Sequence, residues 1–91
     1  MRTYHALSQP RYYRDRAGDF FIVVGVWREG GQVSRYGGAA SVVIGQALHV
    51  IGWEFDVTYV RHCRRVAADA VPTRWHQSLD RYIDQEVIPC V

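Results

Sequence analysis

From Phe20 to Arg28 the sequence FFIVVGVWR carries β-branched and aromatic side chains at both alternating parities. A strand with this pattern must be covered on both faces, which predicts a central strand. Glu29-Gly30-Gly31-Gln32 follows, and a Gly-Gly pair between two strand-like runs can supply the positive φ angles of a type I′ hairpin turn. With those glycines as the loop, Arg28 faces Val33, Trp27 faces Ser34, Val26 faces Arg35 and Gly25 faces Tyr36. The last pair sets an aromatic opposite a strand glycine, which covers the gap left by the missing side chain.

The pattern then changes. Gly38, Ser41, Gly45, His49 and Gly52 recur at helical spacing and draw a small-or-polar stripe on an otherwise apolar segment. This predicts a helix from about Ala39 to Ile51, ended by Gly52. Trp53, Phe55, Val57 and Tyr59 alternate with Glu54, Asp56 and Thr58, a third strand with one wet face. A right-handed crossover returns that strand parallel to the second and beside the first, in the order 2-1-3.

Cys63, Val66, Ala67, Ala70 and Val71 suggest a short helical segment that Pro72 interrupts. Trp75, Leu79, Tyr82, Ile83 and Val87 lie on one face of a helix that begins near Thr73 and stops at Pro89. Residues 1–19 are polar and arginine-rich and read as an arm with one short strand near Thr3 to Leu7. The expected fold class is therefore α+β. It has a three-stranded antiparallel sheet of order 2-1-3, a crossover helix on one face and a C-terminal helix on the other.

Ninety-one residues hold one domain, with residues 20–91 as the globular core behind the arm. Hydrophobic residues are 48% and charged residues 22% of the chain, which is ordinary globular usage and excludes a disordered composition. The longest apolar run, Phe20 to Trp27, is too short to cross a bilayer, and the opening Met1-Arg2-Thr3-Tyr4-His5 has no apolar block. A cytoplasmic protein with no membrane contact is expected. Cys63 and Cys90 make no disulfide framework and belong to no C-x-x-C unit, so reduced thiols are the expectation.

All eleven basic residues are arginine, whose forked guanidinium binds carboxylate and phosphate in two-point fashion and stacks on aromatic rings. The net charge of +2 is unevenly placed. Arg2, Arg11, Arg14 and Arg16 make the first nineteen residues basic, and Arg61, Arg64 and Arg65 form a second basic knot. Glu54 with Asp56, and Asp80, Asp84 and Glu86, are the counterweights. Such a bipolar surface suits one specific partner better than bulk polyanion.

Catalytic and metal chemistry find little support. Cys63 sits beside His62, but neighbours in sequence point apart on a strand and about 100° apart on a helix, and a buried thiol packs well as a small hydrophobe. His62, Cys63, His76 and Cys90 lack the close ligand pairs of a zinc site. The carboxylate pairs Glu54 and Asp56, and Asp80 and Asp84, read as solvated faces. No glycine cluster has phosphate-loop context. The chain reads as non-enzymatic, with no catalytic residue, metal or cofactor.

Arg11-Tyr12-Tyr13-Arg14-Asp15-Arg16, with Arg2 and Tyr4 upstream, is the strongest functional pattern. Interleaved Arg and Tyr can neutralise phosphates and stack on bases, and the same residues dominate protein interfaces. Tyr4, Arg11, Tyr12, Tyr13, Arg14, Arg16, Arg61, Arg64 and Arg65 are the candidate partner-binding residues. The alternative is an arm whose tyrosines merely pack on the domain edge. The apolar helix, with its Gly38, Ser41, Gly45 stripe, could also pair two copies as a homodimer.

From Ile22 to Val60 the hairpin FIVVGVWREGGQVSRYGG, the segment AASVVIGQALHVIGW as a helix and the strand EFDVTYVR resemble the layout of some small phage-encoded anti-CRISPR inhibitors. The resemblance implies a stoichiometric inhibitor that masks a surface of a host defence complex. The leading expectation is a non-enzymatic protein that masks or bridges a protein or protein–nucleic acid complex. The alternative is a nucleic-acid-binding module using the same arm.

Overall fold

The computed structural model describes residues 1–75 and 77. Apolar side chains at both parities make β2 (Phe20–Glu29) the middle of a five-stranded antiparallel sheet. The other strands are β1 (Arg2–Arg14), β3 (Gln32–Ile44), β4 (Ala47–Asp56) and β5 (Arg64–Val66), in the order β4-β3-β2-β1-β5. A single helical turn and a half, α1 (Val57–Arg61), separates β4 from β5.

The two faces of β2 feed two core clusters. Ile22 packs with Tyr12, Ala39 and Val71 on one face, while Phe21 and Val23 pack with Tyr13, Phe55 and Val60 on the other. Phe21 is the hub of the second cluster, stacked on Tyr13 at 5.2 Å between centroids and tilted against Phe55 at 4.6 Å. Such aromatic pairs add about 0.5–1.5 kcal/mol each beyond simple burial.

The β2–β3 and β3–β4 hairpins turn on glycine. Gly30 and Gly31 have φ of 60° and 82°, which is the type I′ geometry, and Glu29 pairs with Gln32 across them. The register expected from the sequence holds for Arg28 opposite Val33 and then slips by one. Trp27 lies opposite Arg35 and Gly25 opposite Gly37, because Ser34 is an extra residue on β3. The Ser34 hydroxyl donates to the Trp27 carbonyl at 3.3 Å. An aromatic does cover Gly25, but it is Tyr4 from β1, whose ring occupies the space a Cβ would need.

The expected three-stranded α+β sheet of order 2-1-3 is not the fold. The segment read as a crossover helix, Ala39 to Ile51, is the second hairpin, β3 to β4, in unbroken register from Arg35 opposite Asp56 to Ile44 opposite Ala47. A run that is apolar nearly all round fits a buried helix and a paired strand equally well by period. Here the β-branched residues from Val42 to Ile44 and from Val50 to Ile51 favour strand. Gly45, with φ of 65°, supplies the first central position of a two-residue turn. No crossover is then needed, and the strand of Trp53 and Phe55 lies antiparallel on the outer side of β3.

Two further expectations change. The alternation through Tyr59 is cut at Asp56, whose carboxylate caps α1 by accepting the Thr58 amide at 2.9 Å. The segment after Arg61 forms β5 and a 3₁₀ turn, Ala68–Ala70, rather than a helix. Residues 73–75 and 77 have helical backbone, and the remainder of the expected C-terminal helix lies outside the described residues. Residues 1–19 hold a longer strand than the one expected near Thr3 to Leu7, because β1 is thirteen residues long and pairs with both β2 and β5.

Candidate functional site: the arginine margin

β5 joins the two basic segments that the sequence keeps far apart. Tyr12 lies opposite Val66, Tyr13 opposite Arg65 and Arg14 opposite Arg64. Arg14 and Arg64 share the face of Tyr12 and Val66, while Arg11 and Arg65 share the face of Tyr13. Like charges opposite each other across two strands are destabilising, so apolar contacts must hold this pairing together. Tyr12 sits in the cluster of Ile22 and Val71 with Val66 packed against it, and Tyr13 lies on Phe21.

The candidate partner-binding residues therefore divide in two. Tyr4, Tyr12 and Tyr13 are 4%, 9% and 8% exposed, so they are structural anchors and present no ring to a partner. This agrees with the plainer alternative, tyrosines packed on the domain. Arg14, Arg16, Arg61, Arg64 and Arg65 are exposed and Arg11 is half-buried. The ion pairs found among the described residues use other arginines, Arg2 with Glu54 and Arg35 with Asp56, beside β4.

The Arg14 guanidinium lies over the Phe20 ring, 5.6 Å from its centroid. Phe20 also meets Trp75 at 6.1 Å, so an aromatic floor holds Arg14 in place. Arg11 and Arg65 line a cleft of about 410 Å³ with Pro10 and Ala67. Sequence reasoning passed over Phe20 as a support for Arg14, and its position six residues beyond Arg14 across a turn is the signal that could have found it. The pairing of β5 leaves no comparable signal, since three residues are too few to show a period.

Arg16 lies in a second cleft, about 590 Å³, with Asp15, Thr58, Tyr59, His62 and Cys63. The Tyr59 hydroxyl donates to Asp15 Oδ2 at 3.2 Å. Desolvation first, then the charge and hydrogen bond of Asp15, push the Tyr59 hydroxyl up to about 12. Burial raises the Cys63 thiol as well, partly offset by its neighbour Tyr59. His62 directs Nδ1 at the Thr58 carbonyl, 2.7 Å away, which makes that nitrogen the donor and ties the ring to the end of α1. A thiol held neutral beside a histidine turned to the backbone is the reverse of an activated nucleophile.

Among the described residues no three His, Cys, Asp or Glu side chains are grouped to hold a metal, and His76 and Cys90 lie outside them. No helix among them is long and apolar enough to cross a membrane. The AASVVIGQALHVIGW segment, a helix in the layout that resembles anti-CRISPR inhibitors, is a strand pair here. No family model, curated protein or solved structure matches this chain.

Proposed function

We propose that this chain is a non-enzymatic binding protein that masks or bridges a larger partner, gripping an acidic surface of that partner with its arginine margin. The observation that carries the reading is the β1–β5 register, in which Arg14 stands opposite Arg64 on one face of the sheet while Arg11 and Arg65 share the other. Two arginines at opposed positions on one face of the sheet can take a carboxylate pair in two-point fashion, and their mutual repulsion is relieved when an anion arrives. Burial of Tyr12 and Tyr13 takes those two rings out of base stacking, which supports a protein partner over nucleic acid.

The test is capture from the native host with the intact chain and with an Arg14→Glu, Arg64→Glu, Arg65→Glu variant, both checked for folding by circular dichroism. The intact chain should retain an acidic protein, more weakly as salt rises, and the variant should release it. Retention of the same partner by the variant would remove the margin from the reading. Tight binding of an oligonucleotide with a steep salt dependence would move it to nucleic acid.

A further inference from the structure

The cleft that Arg11 and Arg65 line is shaped by an irregularity of β1. Between Ala6, opposite Gly25, and Arg11, opposite Val23, β1 has the four residues Leu7 to Pro10 where β2 has only Val24. The excess stands out as a bulge, and its exposed Gln9 and Pro10 become lining of the cleft. Tyr12 and the run from Arg65 to Ala68, where β5 ends, supply the rest. Because Tyr13 pairs with Arg65, Arg11, two residues before Tyr13, falls on the same face as Arg65.

Among the described residues no acid lines this cleft. Arg11 is half-buried, and the ion pairs found among those residues are made by Arg2 and Arg35 instead. Partial burial strips water from the Arg11 guanidinium and strengthens its attraction for any anion brought beside it. The site therefore holds two cations, the Gln9 carboxamide and no internal counterion.

We propose that this cleft is an oxyanion pocket, in which Arg11 and Arg65 together clasp a single carboxylate or phosphate group of the acidic partner. The pocket rests on the margin reading and sharpens it, because it separates one seat from the general charge of the margin. Arg14 and Arg64, on the other face of the sheet, stand outside it. The volume of about 410 Å³ leaves room for the side chain that carries the group.

The test is titration of the intact chain with inorganic phosphate, and separately with acetate, at fixed ionic strength, followed through its amide resonances. The amides of Arg65, Val66 and Ala67 should shift and saturate. Saturation by phosphate alone identifies a phosphate seat, and saturation by acetate identifies a carboxylate seat. Arg65→Gln should weaken binding by about tenfold, the worth of one charge-assisted hydrogen bond. Arg11→Gln should do the same, and if it fails to fold the exposed Arg65 still carries the test. Arg64→Gln should titrate like the intact chain.

No saturation with either anion, undiminished binding by Arg65→Gln, or an equal loss in Arg64→Gln would each overturn the pocket. Saturable binding by a chain that captures no partner would remove the masking role and leave the pocket standing. Capture without saturable binding would do the reverse.

Discussion

β5 brings three residues to its side of the sheet and two of them are arginine, whereas β4 brings ten and none is basic. β5 is fixed by the half-buried Val66 and the tyrosines beneath it, while β4 is fixed by Phe55, buried against Phe21. Shortness and charge discourage another backbone from joining at β5, and its guanidiniums stand exposed. Length, unbroken register and apolar exposure set β4 apart among the described strands. One small sheet thus has two unlike margins.

The largest expected effect is on how each margin is held. Phe55→Ala should cost about 3–5 kcal/mol in chemical denaturation, the usual range for emptying a buried aromatic site. Val66→Ala, which trims a half-buried side chain on β5, should cost about 1 kcal/mol or less. Equal costs would mean that the margins are anchored alike.

A smaller effect concerns the hydrogen bond that ties α1, just after β4, to the turn after β1. Tyr59 in the folded chain keeps its proton to about 12, against 10.0 for the ordinary group. Its contribution to stability is therefore complete below pH 10, falls as the unfolded chain ionises first, and is gone above 12. Stability measured across that window should decline, and Tyr59→Phe should flatten the decline. An unchanged slope in Tyr59→Phe would remove the tie.

The smallest effect is on charge. Arg64→Glu replaces a repulsive cross-strand pair with an attractive one opposite Arg14. It should raise stability by about 0.2–1 kcal/mol while weakening partner binding. Loss of stability would show that the arginine pair is already neutralised within the folded chain.

Local chemistry made β2 and its first turn legible, because two-faced apolar composition and a Gly-Gly pair each have a single good structural use. The second hairpin was misread because small residues at steps of three and four lie in a run of apolar residues that suits either period. Gly45 read as part of a helical stripe is in fact a turn. For the site, the arginines were visible as two clusters, but their union depends on a three-residue strand returning to β1, which no local pattern encodes. The tyrosines misled in a different way, since a residue type favoured at interfaces is also favoured in a small core that needs large rings.

The strand order also dictates a sequence of assembly. β1 to β4 is a meander in which each strand meets its neighbour across a short loop, so this part can zip locally. β5 finds its partner strand only once the meander is in place, because β1 lies on the far side of the sheet from the end of β4. The basic surface is then completed last and is the first to fray. A ligand that bridges Arg14 and Arg64 would act as a latch on that final step, slowing exchange of the β5 amides in proportion to its occupancy.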